Sequence, residues 1–394
     1  MIKICYIGFP QYELDYKWMN YFADQPNKYK VICLTYDIEN TEYHFISKNI
    51  KVFPVLHSYF PIKNLPLRNK IIKKARAVVK EQEIDIVHCL YAFPTSIWAL
   101  EIGHRPFVVS TRGSDVMLQF DKFSDGTSFI EKIENKILRK MYIKSFEKAN
   151  KLSSTSHAQR DKLYELCSIQ GQIEIVRTGI DIPFWMRAIE KTNRKTKSYF
   201  ESKWNGEQAT VINIFSSRTN GPLYNSNLIV EAFHLLKKKY TSIEFRMVMI
   251  NYFNNEYDEE LIQKVKELEL DQHIRFVGVQ DYDGMLDLYI NSDITISIPN
   301  SDGTPNSVLE SMLLKKPCVI GPLDYDQDIF NDRTIWKMES FTIGSLVEQL
   351  EMIIFINKDD YLEKMSFAHK NTKEIIALEK QINKIEAVYN EVLD

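Results

Sequence analysis

The amino-acid sequence predicts an α/β protein built as two parallel-sheet domains in tandem. Three observations lead there. The chain has 394 residues, more than one hydrophobic core ordinarily serves. Short β-branched runs alternate with longer amphipathic ones along most of its length, the pattern of strand–helix–strand units around parallel sheets. The alternation breaks across the charged, polar stretch Arg187–Glu207, where little apolar periodicity survives. The junction is placed there, giving domains over 1–190 and 191–374, with a closing segment 375–394.

In the first series the strands expected are Ile2–Ile7, Lys30–Thr35, Ile50–Val55, Ile84–Cys89, Phe107–Thr111, Lys151–Thr155 and Gln172–Arg177. Helical spacing falls over Tyr12–Ala23, Leu67–Lys80, Ile130–Ala149 and His157–Leu166. The second series places strands at Thr210–Phe215, Ile243–Ile250, His273–Val277, Ile294–Ile298 and Pro317–Ile320. Its helices are expected over Asn227–Lys239, Glu259–Leu268, Asp283–Asn291, Pro305–Leu314 and Ser345–Phe355, and a last helix spans Ile375–Val392.

Composition narrows the chemistry. Fifty basic against fifty-three acidic side chains give a formal charge of −3, too balanced for a nucleic-acid binder. Five scattered cysteines form no CxxC pair, so buried thiols are expected and neither disulfides nor zinc. No apolar run approaches the ~20 residues of a membrane helix, and the start MIKICYIGFP reads as a first strand, so a cytoplasmic protein is expected. Dinucleotide (GxGxxG), phosphate-loop (GxxxxGK[ST]) and nucleophile-turn (GxSxG) fingerprints are absent.

The stretch Asp293–Ile320 is the most informative: buried strand, loop, helix, buried strand. A loop at the carboxyl end of a parallel strand is where open sheets bind ligands. Thr304 is expected as the helix N-cap with Pro305 at the first helical position, leaving backbone N–H groups near Pro305–Val308, those of Asn306 and Ser307 among them, aimed at an anion. Asp302 and Glu310, with seven residues between them, flank that site. Glu310 fits a ribose diol and Asp302, beside Gly303, the hydroxyls of a sugar. Structural readings compete: Ser307 and Glu310 also fit a capping box, and Asp302-Gly303 also fits an ordinary turn.

This segment resembles the E-x7-E region of the family 4 retaining glycosyltransferases (glycosyl transferases group 1), with Asp302 in place of the first glutamate and Glu310 matching the second within LESM. The likeness covers most of the chain, with motifs in the family's order. It implies a GT-B fold, two Rossmann-like parallel-sheet domains facing across a cleft, with the last helix crossing back to the first. It implies transfer of a sugar from a nucleotide-sugar with retention, no cofactor and no metal, onto a glycan or lipid-linked acceptor of cell-envelope synthesis. In NIFSSRTNGPLYNSNLIVEAFHLL, Arg218 stands at the family's donor-phosphate arginine, whereas Leu223 replaces its usual lysine. In VVSTRGSDV, Gly113, Ser114 and Asp115 match the family segment on the acceptor side and Arg112 replaces a histidine, suited to phosphate or sugar rather than to base chemistry. Asp115 also fits a helix cap. His88 near its strand end is an acceptor-side candidate or a packed histidine, and Gly8 allows a close backbone approach to the donor. Gly179 and Asp181 in IVRTGID resemble the turn closing the first domain. The DxD-like spacings at Asp281–Asp283 and Asp324–Asp328 are read as chance, so no metal site is assigned.

Two other functions stay open: a non-catalytic nucleotide-sugar binder, and a GT-B nucleotide-sugar epimerase. The basic amphipathic run Lys63–Lys80 suggests a further partner, the inner face of a membrane, against the plainer reading of a solvated helix packed on the sheet.

Overall fold

The computed structural model describes residues 1–36, 46–126, 128–192, 211–252 and 256–394. It divides into two compact units, Met1–Thr178 with Lys380–Asp394, and Gly179–Glu379. These divisions lie at 178/179 and 379/380, against the expected 190/191 and 374/375. Most of the polar stretch that suggested the junction, residues 193–207, lies outside the described residues.

The first unit contains β1 (Ile2–Ile7), α1 (Glu13–Ala23), β2 (Tyr29–Tyr36), β3 (Ile50–Leu56), α2 (Leu65–Glu81), β4 (Ile86–Leu90), α3 (Ala92–Ile102), β5 (Phe107–Ser110), α4 (Ser114–Met117), α5 (Gln119–Lys122), α6 (Phe129–Lys148), β6 (Lys151–Ser154), α7 (His157–Leu166) and β7 (Ile173–Ile175). Its seven strands are parallel in the order β3-β2-β1-β4-β5-β6-β7. Strands β1, β4 and β5 are near-continuous apolar runs because both faces of the sheet are covered. Helix α3 escaped the sequence reading for a related reason: eight of its eleven residues are buried, which erases the polar face that marks an amphipathic helix.

The basic helix α2 buries Ile71, Ile72, Ala75 and Val79 in this core. The apolar stripe that membrane docking through Lys63–Lys80 would need is therefore already used, and that expectation is corrected. No helix of the described residues is long and apolar enough to cross a membrane. All five cysteines are buried and unbridged.

The second unit contains α8 (Ile182–Thr192), β8 (Val211–Thr219), α9 (Ser226–Lys239), β9 (Glu244–Ile250), α10 (Glu256–Glu267), β10 (Ile274–Val277), α11 (Tyr282–Asn291), β11 (Ile294–Ser297), α12 (Asn306–Leu313), β12 (Cys318–Ile320), β13 (Trp336–Lys337), α13 (Ile343–Ile354) and α14 (Lys358–Ile376). Its six parallel strands run β10-β9-β8-β11-β12-β13. Connections leave β8 toward β9 on one side and β11 toward β12 on the other, so the order reverses between β8 and β11. The single helix expected over Ile375–Val392 is two, because Ala377 takes extended geometry between α14 and α15 (Leu378–Leu393) and bridges Ile180. Gly179, just before that bridge, has φ +77°, a conformation glycine adopts without strain. Asp181 accepts from the Phe184 N–H at the start of α8.

Candidate functional site

Adjacent parallel strands lie about 5 Å apart, so loops leaving β8 and β11 on the same edge are brought together whatever their sequence separation. Arg218, near the end of β8, and Asp302, in the loop after β11, meet there: Nη1 lies 3.0 Å from Oδ2. Further bonds tie the two loops. Asn225 donates to the Ile298 carbonyl and to Asn300 Oδ1, and the Asn300 N–H donates to the Leu223 carbonyl. This is the topological switch point of the sheet, the edge at which open parallel sheets bind ligands.

The charges are shaped by burial and by each other. Burial lowers the affinity of the Arg218 guanidinium for its proton, but Asp302 and then Tyr224 outweigh it, so the group titrates above its ordinary range. At Asp302 burial is the larger effect and raises the carboxyl, against Arg218 and the Gly303 N–H. The Arg218 guanidinium also lies over the Tyr224 ring, 4.7 Å from its centre, a cation–π contact made by the residue after Leu223.

Glu310 is partly exposed on the second turn of α12. The fully buried Tyr289 holds it, its hydroxyl 2.9 Å from Glu310 Oε2 and 3.1 Å from the Ser307 carbonyl. Burial, with Glu310 next, pushes the Tyr289 phenol far above its usual range, so it stays a donor. The sequence did not single out Tyr289 because it sits among the apolar residues of α11. Nor did it single out Tyr325, whose buried hydroxyl has no hydrogen-bond partner among the described residues and is pushed far above its usual range by burial and then by Asp302.

The start of α12 differs from expectation. Pro305 is the N-cap, with no side-chain cap, and the helix begins at Asn306, not after a Thr304 cap. Proline fixes its own φ, and here it holds the extended geometry of the entry residue instead of the first helical turn. Ser307 is therefore inside the helix, its hydroxyl 3.3 Å from Ser297 Oγ, and no capping box with Glu310 forms. Val308 leaves the set of anion donors, since its N–H bonds the Pro305 carbonyl and its side chain is fully buried. The Gly303 N–H is bonded to Asp302 Oδ1. What the structure brings together is Arg218, Asp302, Gly303 and the Asn306–Ser307 turn, with Glu310 one turn on.

Comparison with known proteins bears on this arrangement. Residues 3–156 match a family described as glycosyl transferase 4-like, and residues 198–366 match the glycosyl transferases group 1. The chain belongs to this glycosyltransferase family. Among solved structures it is similar to a glycosyltransferase from Rickettsia africae, with 16% identity, a TM-score of 0.73 and 100% and 99% of the two chains covered. It is also similar to HepE from Anabaena, solved with UDP, at 13% identity and a TM-score of 0.72 over 99% and 100% of the chains. WaaG, a glycosyltransferase involved in lipopolysaccharide biosynthesis, is similar at 15% identity and 0.66 over 98% and 99%. At such identities the likeness establishes the fold, GT-B with its two Rossmann-like domains. No curated protein matches the chain significantly.

In the first unit of this glycosyltransferase, several residues expected at an acceptor or donor surface prove internal. Asp115 is fully buried, and its carboxylate accepts the backbone N–H groups of Ala92, Arg112 and Gly113. It fastens the loops after β4 and β5 instead of facing an acceptor. His88 is likewise sealed: Nδ1 lies 2.6 Å from the Tyr389 hydroxyl and Nε2 2.7 Å from Ser110 Oγ. Burial, then Arg112, pushes its pKa down to about 3, so the ring is neutral. At Gly8 the space a Cβ would fill is taken by Asp15 Oδ2, 2.8 Å from the Cβ position, so the glycine makes room for a carboxylate of the chain itself. Gly113, with φ +132°, needs to be glycine. Ser114 is exposed, its hydroxyl 3.0 Å from that of Tyr91.

Arg112 also turns inward. Its guanidinium lies 4.2 Å from the Trp18 ring centre, donates to the Leu14 carbonyl and stands 3.9 Å from Asp15 Oδ1. Burial pushes the Asp15 carboxyl up to about 6, against the Arg112 charge and the Phe9 N–H. Between about pH 4, where the unfolded side chain titrates, and about pH 6 the folded protein keeps a proton that the unfolded chain has lost. Stability from this group therefore falls as pH rises through that window, by about 2–3 kcal/mol. Asp15→Asn should flatten the slope while keeping an acceptor for Phe9. Urea midpoints measured across the window check this, and an unaltered slope would show that Asp15 titrates as an ordinary carboxylate.

Asp281 accepts from the Gly284 N–H and caps α11, a structural role for one side of the Asp281–Asp283 pair.

Proposed function

We propose that this glycosyltransferase moves a hexose-type sugar from a nucleoside diphosphate donor to an acceptor hydroxyl with retention of anomeric configuration. The observation that carries the reading is the pairing of Arg218 with Asp302 at the switch point, in the loop that leads into the helix bearing Glu310. Arg218 and the first turn of α12 are assigned to the diphosphate, whose charge grows as the bond to the sugar breaks. Glu310, held by Tyr289, takes the ribose hydroxyls, and Asp302 takes a hydroxyl of the sugar while balancing Arg218. The C1–oxygen bond to the phosphate breaks, the acceptor oxygen bonds to C1 on the same face, and its proton passes to the departing phosphate oxygen. This scheme needs no protein nucleophile and no metal, only positioning and charge stabilisation. That the similar Anabaena protein was also solved with UDP-glucose supports a nucleotide-sugar donor. The likeness to WaaG supports an acceptor of the cell envelope, glycan or lipid-linked, met at the inner face of the membrane. Ser114, exposed on the first unit, is assigned to acceptor contact.

The test is release of nucleoside diphosphate from a donor panel, with and without acceptors and with EDTA, and the anomeric form of the product by NMR. Acceptor-dependent release that survives EDTA is expected, and Glu310→Ala should lower kcat/KM by about 10- to 100-fold through a lost charged hydrogen bond. Release equal with and without acceptor would favour an epimerase. Donor binding with no turnover on any acceptor would favour a non-catalytic binder.

A further inference from the structure

We propose that the outward face of α6 docks the protein on an anionic lipid surface. The helix has twenty residues, yet only Tyr142, Ser145 and Phe146 are buried, all in its last two turns. None of residues 129–141 is buried. The exposed part is nonetheless apolar: Phe129 is 79% exposed, Ile130 60%, Ile133 44% and Ile137 40%.

Helical geometry places these residues together. At about 100° per residue, Phe129, Ile133 and Ile137 fall within an arc of about 80°, with Ile130 at its edge, and the arc lies opposite Tyr142, Ser145 and Phe146. The apolar stripe thus points away from the core, the reverse of a helix that covers a sheet. Isolated exposed hydrophobes are ordinary; four on one face mark an interaction surface.

Charge identifies the partner. Lys140 and Lys144 lie within the stripe's arc, and Lys132 and Lys136 line its flank. Among the described residues none of these lysines pairs with a carboxylate. The acids of the helix are occupied elsewhere: Glu131 completes a capping box with Ser128, Glu134 binds Lys63 at 2.8 Å, and Glu147 accepts the Ser168 N–H. The Lys63 tie also sets exposed Tyr59, in the loop before α2, and exposed Leu65, at the start of α2, on the side of α6. Apolar side chains among unpaired lysines fit the headgroup–acyl boundary of an anionic bilayer, where the first insert and the second meet lipid phosphate. A second copy of the chain would bring the same lysines against themselves. Helix α2, by contrast, offers lysines but no free apolar side. Docking through α6 needs none of Arg218, Asp302 and Glu310, so it stands or falls apart from the donor site.

The experiment is co-sedimentation of the full chain with phosphatidylglycerol–phosphatidylcholine vesicles and with phosphatidylcholine alone, at low and high salt. Wild type should bind the anionic vesicles, more weakly at high salt. Ile133→Glu with Ile137→Glu should weaken binding by about tenfold or more, and Ile133→Ser with Ile137→Ser should weaken it without adding charge. Lys73→Glu with Lys74→Glu on α2 should leave most binding in place. These sites are exposed, and circular dichroism confirms folding in each variant. Binding untouched by the Ile133 and Ile137 changes would overturn the proposal. So would a wild type that ignores anionic vesicles, or one that dimerises through this face by light scattering and stays off the vesicles.

Discussion

Replacing Arg218 by alanine should lower turnover by about 100- to 1,000-fold, the loss seen when a preorganised group that meets growing charge is removed. The guanidinium is the cation placed at the switch point by β8 and held by Asp302 and the Tyr224 ring. Lysine at this position should recover part of the rate, because it supplies charge but not a planar fork. A purely structural ion pair predicts otherwise. Arg218→Ala leaves the partly buried Asp302 without its partner and should cost about 1–2 kcal/mol of stability. Adding Asp302→Asn should restore that stability without restoring turnover, which a double-mutant cycle in urea and in nucleotide release separates. Near-normal turnover in folded Arg218→Ala would remove the proposed donor site.

The largest expected loss of stability is at Asp115. Alanine there strips the acceptor from three backbone N–H groups, those of the buried Ala92 and Gly113 and of the part-buried Arg112. Each orphaned donor costs about 1–3 kcal/mol. Some of this is offset, because burial already disfavours the ionised carboxylate and raises its pKa. A net loss of about 3 kcal/mol is expected, which lowers the melting temperature of a unit this size by about 6–12 °C. Asparagine, with one acceptor oxygen left, should fall between. Calorimetry together with hydrogen exchange at β4 and β5 reads the effect in the first unit. An unchanged melting temperature would show that water replaces the carboxylate without penalty.

Fold class was legible because parallel strands covered on both faces must be apolar runs, as in ICYI of β1 and the ITIS strand β11. The elements that hid have physical reasons for hiding. Helix α3 is buried nearly all round and shows no amphipathic period. Strand β13 has two residues, too few for any alternation. Ala377 ends α14 without a glycine or proline to announce it. At the site, Asp302 and Glu310 were named from local pattern and Arg218 from the family resemblance, but local sequence carries no three-dimensional information. It did not say that Arg218 and Asp302 would pair, nor that Tyr289, spaced like a core residue, would hold Glu310. It also set Arg112 at a ligand surface and left His88 open between an acceptor role and packing, since strand ends read as surface until the packing above them is known.

The first unit is closed by residues from far along the chain. Tyr389 joins the Tyr6 hydroxyl at 2.9 Å and His88 at 2.6 Å, and Gln381 accepts the Arg177 N–H. During synthesis the ribosome delivers β1 to β7 first, yet the hydroxyl that satisfies His88 emerges only after the whole second unit has been made. The lobe begun first is thus completed last. A nascent first lobe has an open seam along β1 and β4 for that interval, a wait that a chaperone or a rapidly folding second lobe would shorten.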